Sequence, residues 1–126
     1  MTKLVRIETE KTPKESIEGI KKKASDFNII IRNVFDMAHE FRHHGIKVDG
    51  VFEYYSIMLC NPEKDYNGIL KSPIRGALLF PPKQVVIYKE NNKTVLGYVA
   101  VESKDVMKLL PEDAKFQEAY LNHAKI

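Results

Sequence analysis

The amino-acid sequence predicts an α+β fold in a single domain, residues 1–126, with helices on one main face of a mostly antiparallel sheet. Short apolar strands alternate with amphipathic helices along the chain. Two of those strands are joined by a tight turn at residues 90–93, and such a hairpin argues against a purely parallel sheet. The 126 residues, 44% of them hydrophobic, suffice for one ordinary core.

The first strand, residues 4–8, is short and is followed by a well-marked helix start. Thr12 can cap the helix, Pro13 suits its first position, and Glu15 can return a hydrogen bond to the cap. Apolar residues then recur at helical spacing and predict a helix packed on a sheet: Ile17, Ile20, Ala24 and Phe27.

Residues 28–34 are rich in β-branched side chains and predict a buried strand. Asp36 can cap a short helix over residues 37–44, which Gly45 ends in the left-handed conformation. Residues 51–59 predict the next strand. Because both of its alternating faces are largely apolar, we expect both to be at least half covered.

Asn61 as cap and Pro62 as first residue predict a helix that runs to about Lys71 and stops at Ser72 and Pro73. Residues 77–80 predict an apolar strand that two prolines interrupt. Residues 84–89 and 94–101 predict the two strands of the hairpin. Ser103 is expected to cap a helix, and a further apolar helical stripe runs from Pro111 to the end of the chain.

Composition excludes several classes of function. The net charge of +3 is too small to predict nucleic-acid binding, and no apolar stretch is long enough to span a bilayer. A basic patch would require the run at residues 21–23 to join Arg32 or Arg75. The one cysteine excludes an internal disulfide framework. We expect a cytoplasmic protein with no cofactor and no nucleic-acid or membrane partner.

Residues 39–43, HEFRH, match the zincin pattern, in which two histidines bind zinc and the intervening Glu acts as general base. On a helical wheel, however, His39 and His43 lie opposite the apolar stripe that contains Met37 and Phe41. The predicted helix is also short for a zincin. An exposed helix face with a chance match is therefore the preferred interpretation of His39 and His43.

The turn at Cys60, Asn61 and Pro62 is a second candidate site. A helix N-terminus offers unpaired N–H groups and partial positive charge, which can hold an anion or lower the pKa of a nearby thiol. If Cys60 is exposed it can be a reactive thiolate, and if it is buried it is a small apolar residue that ends a strand.

The pattern across residues 28–88 resembles the family called domain of unknown function 302. The resemblance rests on a short helix that ends at Gly45, a strand that ends in Cys60-Asn61-Pro62, and a helix that stops at Ser72-Pro73. The apolar segment 76–81 before a strand completes the pattern. Family resemblance implies a curved antiparallel sheet with helices, similar to the TATA-binding-protein class, often as a homodimer. It does not imply DNA binding.

The leading hypothesis from the sequence is a non-enzymatic cytoplasmic module that binds a small ligand or associates with itself as a homodimer. We expect a concavity between the sheet and the short helices. The alternative is an enzyme with a reactive thiol at Cys60 or a zinc site at His39 and His43. The candidate ligand-binding residues are Asp36, Tyr54, Cys60, Asn61, Pro62, Phe80 and Pro81.

Overall fold

A computed structural model describes residues 2–78 and 84–113, apart from the side chain of Ser103. It confirms the predicted α+β class and the predicted order of helices and strands. The elements are β1 Lys3–Thr9, α1 Pro13–Ser25, β2 Ile30–Asp36, α2 Met37–His43, β3 Tyr54–Cys60, α3 Pro62–Lys71, a 3₁₀ helix Pro73–Leu78, β4 Gln84–Glu90, β5 Lys93–Ala100 and α4 Ser103–Leu109.

The five strands form one antiparallel sheet in the order β1-β5-β4-β3-β2. The predicted hairpin joins β4 to β5 through Asn91 and Asn92, whose φ angles of 50° and 65° are those of a tight two-residue turn. β1 pairs with β5 along its whole length, so that the first and second strands of the chain occupy opposite edges of the sheet.

Helix α1 begins as predicted. Thr12 accepts a hydrogen bond from the backbone N–H of Glu15, and the Glu15 carboxylate accepts one from the backbone N–H of Thr12. Ile17 and Ala24 are buried. Phe27 is 61% exposed, because α1 ends at Ser25 and Phe27 therefore lies beyond the helix and outside its buried stripe.

The two sheet faces differ. The core face carries Tyr55 and Ile57 of β3 and Val85 and Ile87 of β4, all buried together with Ile17 of α1. The opposite face, here called the open face, carries Tyr54, Ser56 and Met58 of β3 and Gln84, Val86 and Tyr88 of β4.

Several local expectations differ from the structure. The strand expected to be buried, residues 28–34, is the edge strand β2, and all residues of β2 except Ile31 are exposed. β3 begins at Tyr54, three residues later than predicted. Residues 77–78 belong to the 3₁₀ helix rather than to a strand, because the chain after Ser72 continues in short-range turns, beginning with the bond from Arg75 N–H to the Ser72 carbonyl. Glu102 occupies the N-cap of α4, so that Ser103 is its first helical residue.

The predicted helix after Pro111 and the predicted strand residues 79–80 lie outside the described residues, apart from the turn at 111–113. Among the described residues, no helix combines the length and the apolar character needed to cross a membrane.

Candidate ligand-binding groove

A bulge in the edge strand β2 shapes one side of the open face. Arg32 pairs with Met58 and Phe35 pairs with Ser56, so that β2 uses one residue more than β3 over the same span. Asn33 lies in this bulge and has a φ of 51°, a left-handed conformation that asparagine adopts more readily than most residues. Because of the extra residue, Phe35 lies on the open face beside Ser56.

Helix α2 forms the wall above this part of the sheet. Asp36 caps it, as predicted, and accepts a hydrogen bond from the backbone N–H of His39 at 3.2 Å. Met37, Glu40 and Phe41 lie within an arc of about 100° on the helix, and all three line the cavity beneath it. Helix α2 therefore covers part of the open face, whereas α1 packs on the core face.

A cavity of about 750 Å³ lies between α2 and the open face. A second cavity of about 330 Å³ continues along the sheet towards β1. Both cavities share Tyr54, Gln84 and Val86, and together they form one depression that we call the groove. The first cavity is lined by Asn33, Phe35, Met37, Glu40, Phe41, His44, Tyr54, Ser56, Ile57, Met58, Gln84 and Val86.

Aromatic rings follow one another from α2 across the open face. Phe41 and Phe52 have ring centroids 6.0 Å apart, and Phe52 and Tyr54 lie 5.9 Å apart with nearly parallel planes. Tyr54 stacks on Tyr88 of the neighbouring strand at 5.3 Å. Such offset stacking rigidifies the rings, and the row gives one margin of the groove a fixed aromatic surface.

Polar groups are few and placed at separate points of the groove. On its floor, Gln84 Nε2 donates a hydrogen bond to Ser56 Oγ at 2.7 Å, which leaves the serine hydroxyl hydrogen and the glutamine oxygen available to a ligand. Glu40 and His44 stand on the wall. At the far end, the Arg6 guanidinium is paired with Glu8 at 2.5 Å and with Glu90 at 2.9 Å.

Comparison with known proteins places this fold in a family. A family model described as domain of unknown function DUF302 matches residues 5–122. The chain belongs to the DUF302 family. A search of curated proteins finds no match for it.

A solved DUF302 structure has the same fold. The crystal structure of an uncharacterized conserved DUF302 protein from Bacillus stearothermophilus superimposes with a TM-score of 0.73. The match covers 97% of this chain and 90% of that chain, at 16% sequence identity. At this identity the likeness establishes the fold alone, and neither the family description nor this relative assigns an activity.

In this DUF302 chain the candidate residues fall into three groups. Tyr54 lines the groove, and Asp36 is the N-cap of α2, the helix that covers part of the groove. Cys60, Asn61 and Pro62 lie beyond the groove, where β3 passes into α3. Phe80 and Pro81 lie outside the described residues, so their part in a site stays a prediction.

At the turn that follows Cys60, the polar groups already form hydrogen bonds with one another. Asn61 is buried and accepts a hydrogen bond from Lys64 N–H, while Asp65 accepts one from Asn61 N–H. Burial raises the pKa of the Cys60 thiol, and a hydrogen bond to Asp65 raises it further. Both effects lower the thiolate fraction at neutral pH and so disfavour nucleophilic chemistry at this position.

His39 and His43 are exposed and stack on each other with ring centroids 6.4 Å apart. Among the described residues, no group of three or more His, Cys, Asp or Glu side chains could hold a metal ion. The residues of α2 that line the groove are instead Glu40 and its apolar neighbours Met37 and Phe41.

Sequence reasoning missed most of the groove. The predicted strand ends at residue 34, and only the bulge at Asn33 brings Phe35 to the open face. Gln84 and Val86 meet Ser56 and Met58 through the pairing of β3 with β4, two strands that α3 and the 3₁₀ helix separate in the sequence. The helical wheel of α2 carried a usable signal, because it already separates Met37 and Phe41 from His39 and His43.

Proposed function

We propose that this protein is a non-enzymatic module that binds a small, mostly apolar ligand in the groove. The observation that carries this proposal is the cavity of about 750 Å³, within the range of about 300–1,000 Å³ typical of small-molecule sites. Its lining is mainly aliphatic and aromatic, with a few polar groups in fixed places. We keep a cytoplasmic location as part of the proposal.

The exposure of the lining side chains supports a role for the groove. Phe35 and Phe41 are exposed large hydrophobic residues that both line the same cavity. Scattered exposed hydrophobic residues are common, but a contiguous concave set marks a binding surface more often. The alternative of a thiol enzyme has less support, because the raised pKa of Cys60 opposes formation of a thiolate.

Titration with N-phenyl-1-naphthylamine, a neutral probe that fluoresces in apolar sites, tests the proposal. We expect saturable binding to one site on the full chain, with amide NMR shifts concentrated at Tyr54, Ser56 and Val86. Ser56→Phe should weaken binding at least about tenfold by filling the floor of the groove, whereas Lys89→Phe, at an exposed position on β4, should not. Absence of saturable binding to the wild-type protein would overturn the proposal.

A second candidate function, self-association, is favoured by the corner of the open face formed by β1 and β5. Leu4 and Val99 are paired across these strands and are 76% and 52% exposed. Two copies could cover this corner about a two-fold axis.

Sedimentation velocity tests this candidate. We expect the wild-type protein to be a dimer and Leu4→Lys to dissociate it. Ile7→Lys, on the other face of β1, should leave the dimer intact. A monomer at high concentration would contradict it.

A further inference from the structure

We propose that the ligand carries a positively charged nitrogen that pairs with the Glu40 carboxylate, while its flat apolar body lies against the aromatic side chains of the groove. This inference rests on the proposed function and adds the chemical class of the ligand, an organic cation with an aromatic or similarly flat body. Three observations support the inference. Glu40 places a negative charge on the lining of the groove, its carboxylate has no hydrogen bond or ion pair among the described residues, and aromatic rings line the same cavity.

Glu40 is a half-buried carboxylate that lines the larger cavity. Among the described residues, its side chain has neither a hydrogen bond nor an ion pair. Several other described carboxylates are engaged: Glu15 and Asp36 cap helices, and Asp113 pairs with an arginine. Glu40 differs from these because it lines a cavity without such a bond in the described part of the chain. A carboxylate that is partly removed from water gains most from a cationic partner, and Glu40 has none within the described protein.

The described cations near the groove do not compensate Glu40. Arg6, at the far end, is already paired with Glu8 and Glu90. Arg32 lies beside the Cys60 thiol, and Arg42 is exposed and lies about 160° from Glu40 around α2. His44, the other titratable side chain beside α2 that lines the cavity, offers an imidazole nitrogen for hydrogen bonding to a ligand. His39 and His43 of α2 are exposed and stack on each other. Among the described side chains that line the larger cavity, Glu40 thus carries a negative charge without a paired cation, in a mainly apolar surrounding.

The aromatic lining suits a cation as well as an apolar body. Phe35, Phe41 and Tyr54 all line the cavity that contains Glu40. The face of an aromatic ring carries partial negative charge, so a cation close to such a face is attracted in addition to its pairing with the carboxylate. The same rings and the same carboxylate disfavour an anionic ligand, which would meet repulsion from Glu40.

Three naphthalene probes separate charge from shape: 2-(aminomethyl)naphthalene, 2-(hydroxymethyl)naphthalene and 2-naphthoate. They share one flat body and carry, at neutral pH, a positive charge, no charge and a negative charge. Binding to the full chain is measured by amide NMR shifts and by calorimetry. We expect the amine to bind about fivefold more tightly than the alcohol, as a partly exposed charge pair allows, and the naphthoate to bind most weakly.

Glu40→Gln is the decisive variant, because it keeps the size and hydrogen-bonding capacity of the side chain and removes its charge. We expect it to abolish the preference for the amine and to leave the affinity for the alcohol unchanged. Glu63→Gln, at an exposed position at the start of α3, is the matched control and should retain the preference.

The outcomes distinguish the two proposals. If all three probes bind the groove equally, or if Glu40→Gln keeps the preference for the amine, the inference about charge is overturned while the ligand-binding function stands. If neither these probes nor N-phenyl-1-naphthylamine causes saturable shifts at groove residues, the ligand-binding function itself fails. Tighter binding of the naphthoate than of the amine would reverse the assigned ligand class.

Discussion

Replacing Ile87 with alanine is expected to lower the free energy of unfolding by about 2–5 kcal/mol. Ile87 lies in β4, the middle strand of the sheet, and its side chain is 0% exposed. It belongs to the same buried cluster as Ile57 and Ile17, so that truncation removes contacts with both the sheet and α1. The loss combines reduced apolar burial with a cavity that rigid neighbouring strands fill incompletely.

Urea denaturation of the wild-type protein and of two variants with progressively smaller side chains at position 87 measures this effect. Ile87→Val, which removes one methylene group, should cost about 0.5–1.5 kcal/mol and Ile87→Ala correspondingly more. Val51→Ala, at a position that is 82% exposed, is the control and should change stability by less than about 0.5 kcal/mol. A cost below about 1 kcal/mol for Ile87→Ala would contradict the assignment of β4 to the centre of the core.

Local chemistry made much of the fold predictable from the sequence. The capping box of α1, the Asn61-Pro62 start of α3 and the Asn91-Asn92 turn depend on residues that lie within a few positions of one another. The α+β class followed because the hairpin and the alternation of helices with strands are also local features. Each of these elements is present in the structure.

The groove was less predictable because it depends on pairings between distant segments. The bulge at Asn33 reverses the side on which Phe35 lies, and alternation alone cannot reveal such a shift in register. The stacking of Tyr54 on Tyr88 requires the register of β3 with β4. Tyr54 was nevertheless among the predicted site residues, and it lines the groove.

Arg75→Ala is expected to lower the free energy of unfolding by about 3 kcal/mol, because it leaves the Asp113 carboxylate without this partner in a poorly solvated place. Arg75 is 8% exposed, and its guanidinium makes two bonds of 2.5 Å to the two oxygens of Asp113. It also donates to the Gly68 carbonyl at 3.2 Å. The hydrogen bond to Asp113 raises the pKa of Arg75, so the guanidinium stays charged throughout the accessible pH range.

Urea denaturation and amide hydrogen exchange of α3 together measure the effect. Arg75→Lys should recover only part of the lost stability, because an ammonium group cannot reproduce the two parallel bonds to Asp113. The double variant Arg75→Met, Asp113→Leu should be more stable than Arg75→Ala, since it removes both charges of the pair together. Lys71→Ala, at an exposed position at the end of α3, is the control and should leave both measurements nearly unchanged.

The position of α3 explains why this one side chain should matter so much. In the described part of the chain, none of the residues of α3 is fully buried: Tyr66 and Leu70 are exposed and Ile69 is half-buried. Hydrophobic burial within the described structure therefore contributes little to holding this helix. Arg75 instead joins the Gly68 carbonyl of α3 to Asp113 after α4. If Arg75→Ala leaves both global stability and the exchange of α3 amides unchanged, contacts other than this ion pair must hold the helix in place.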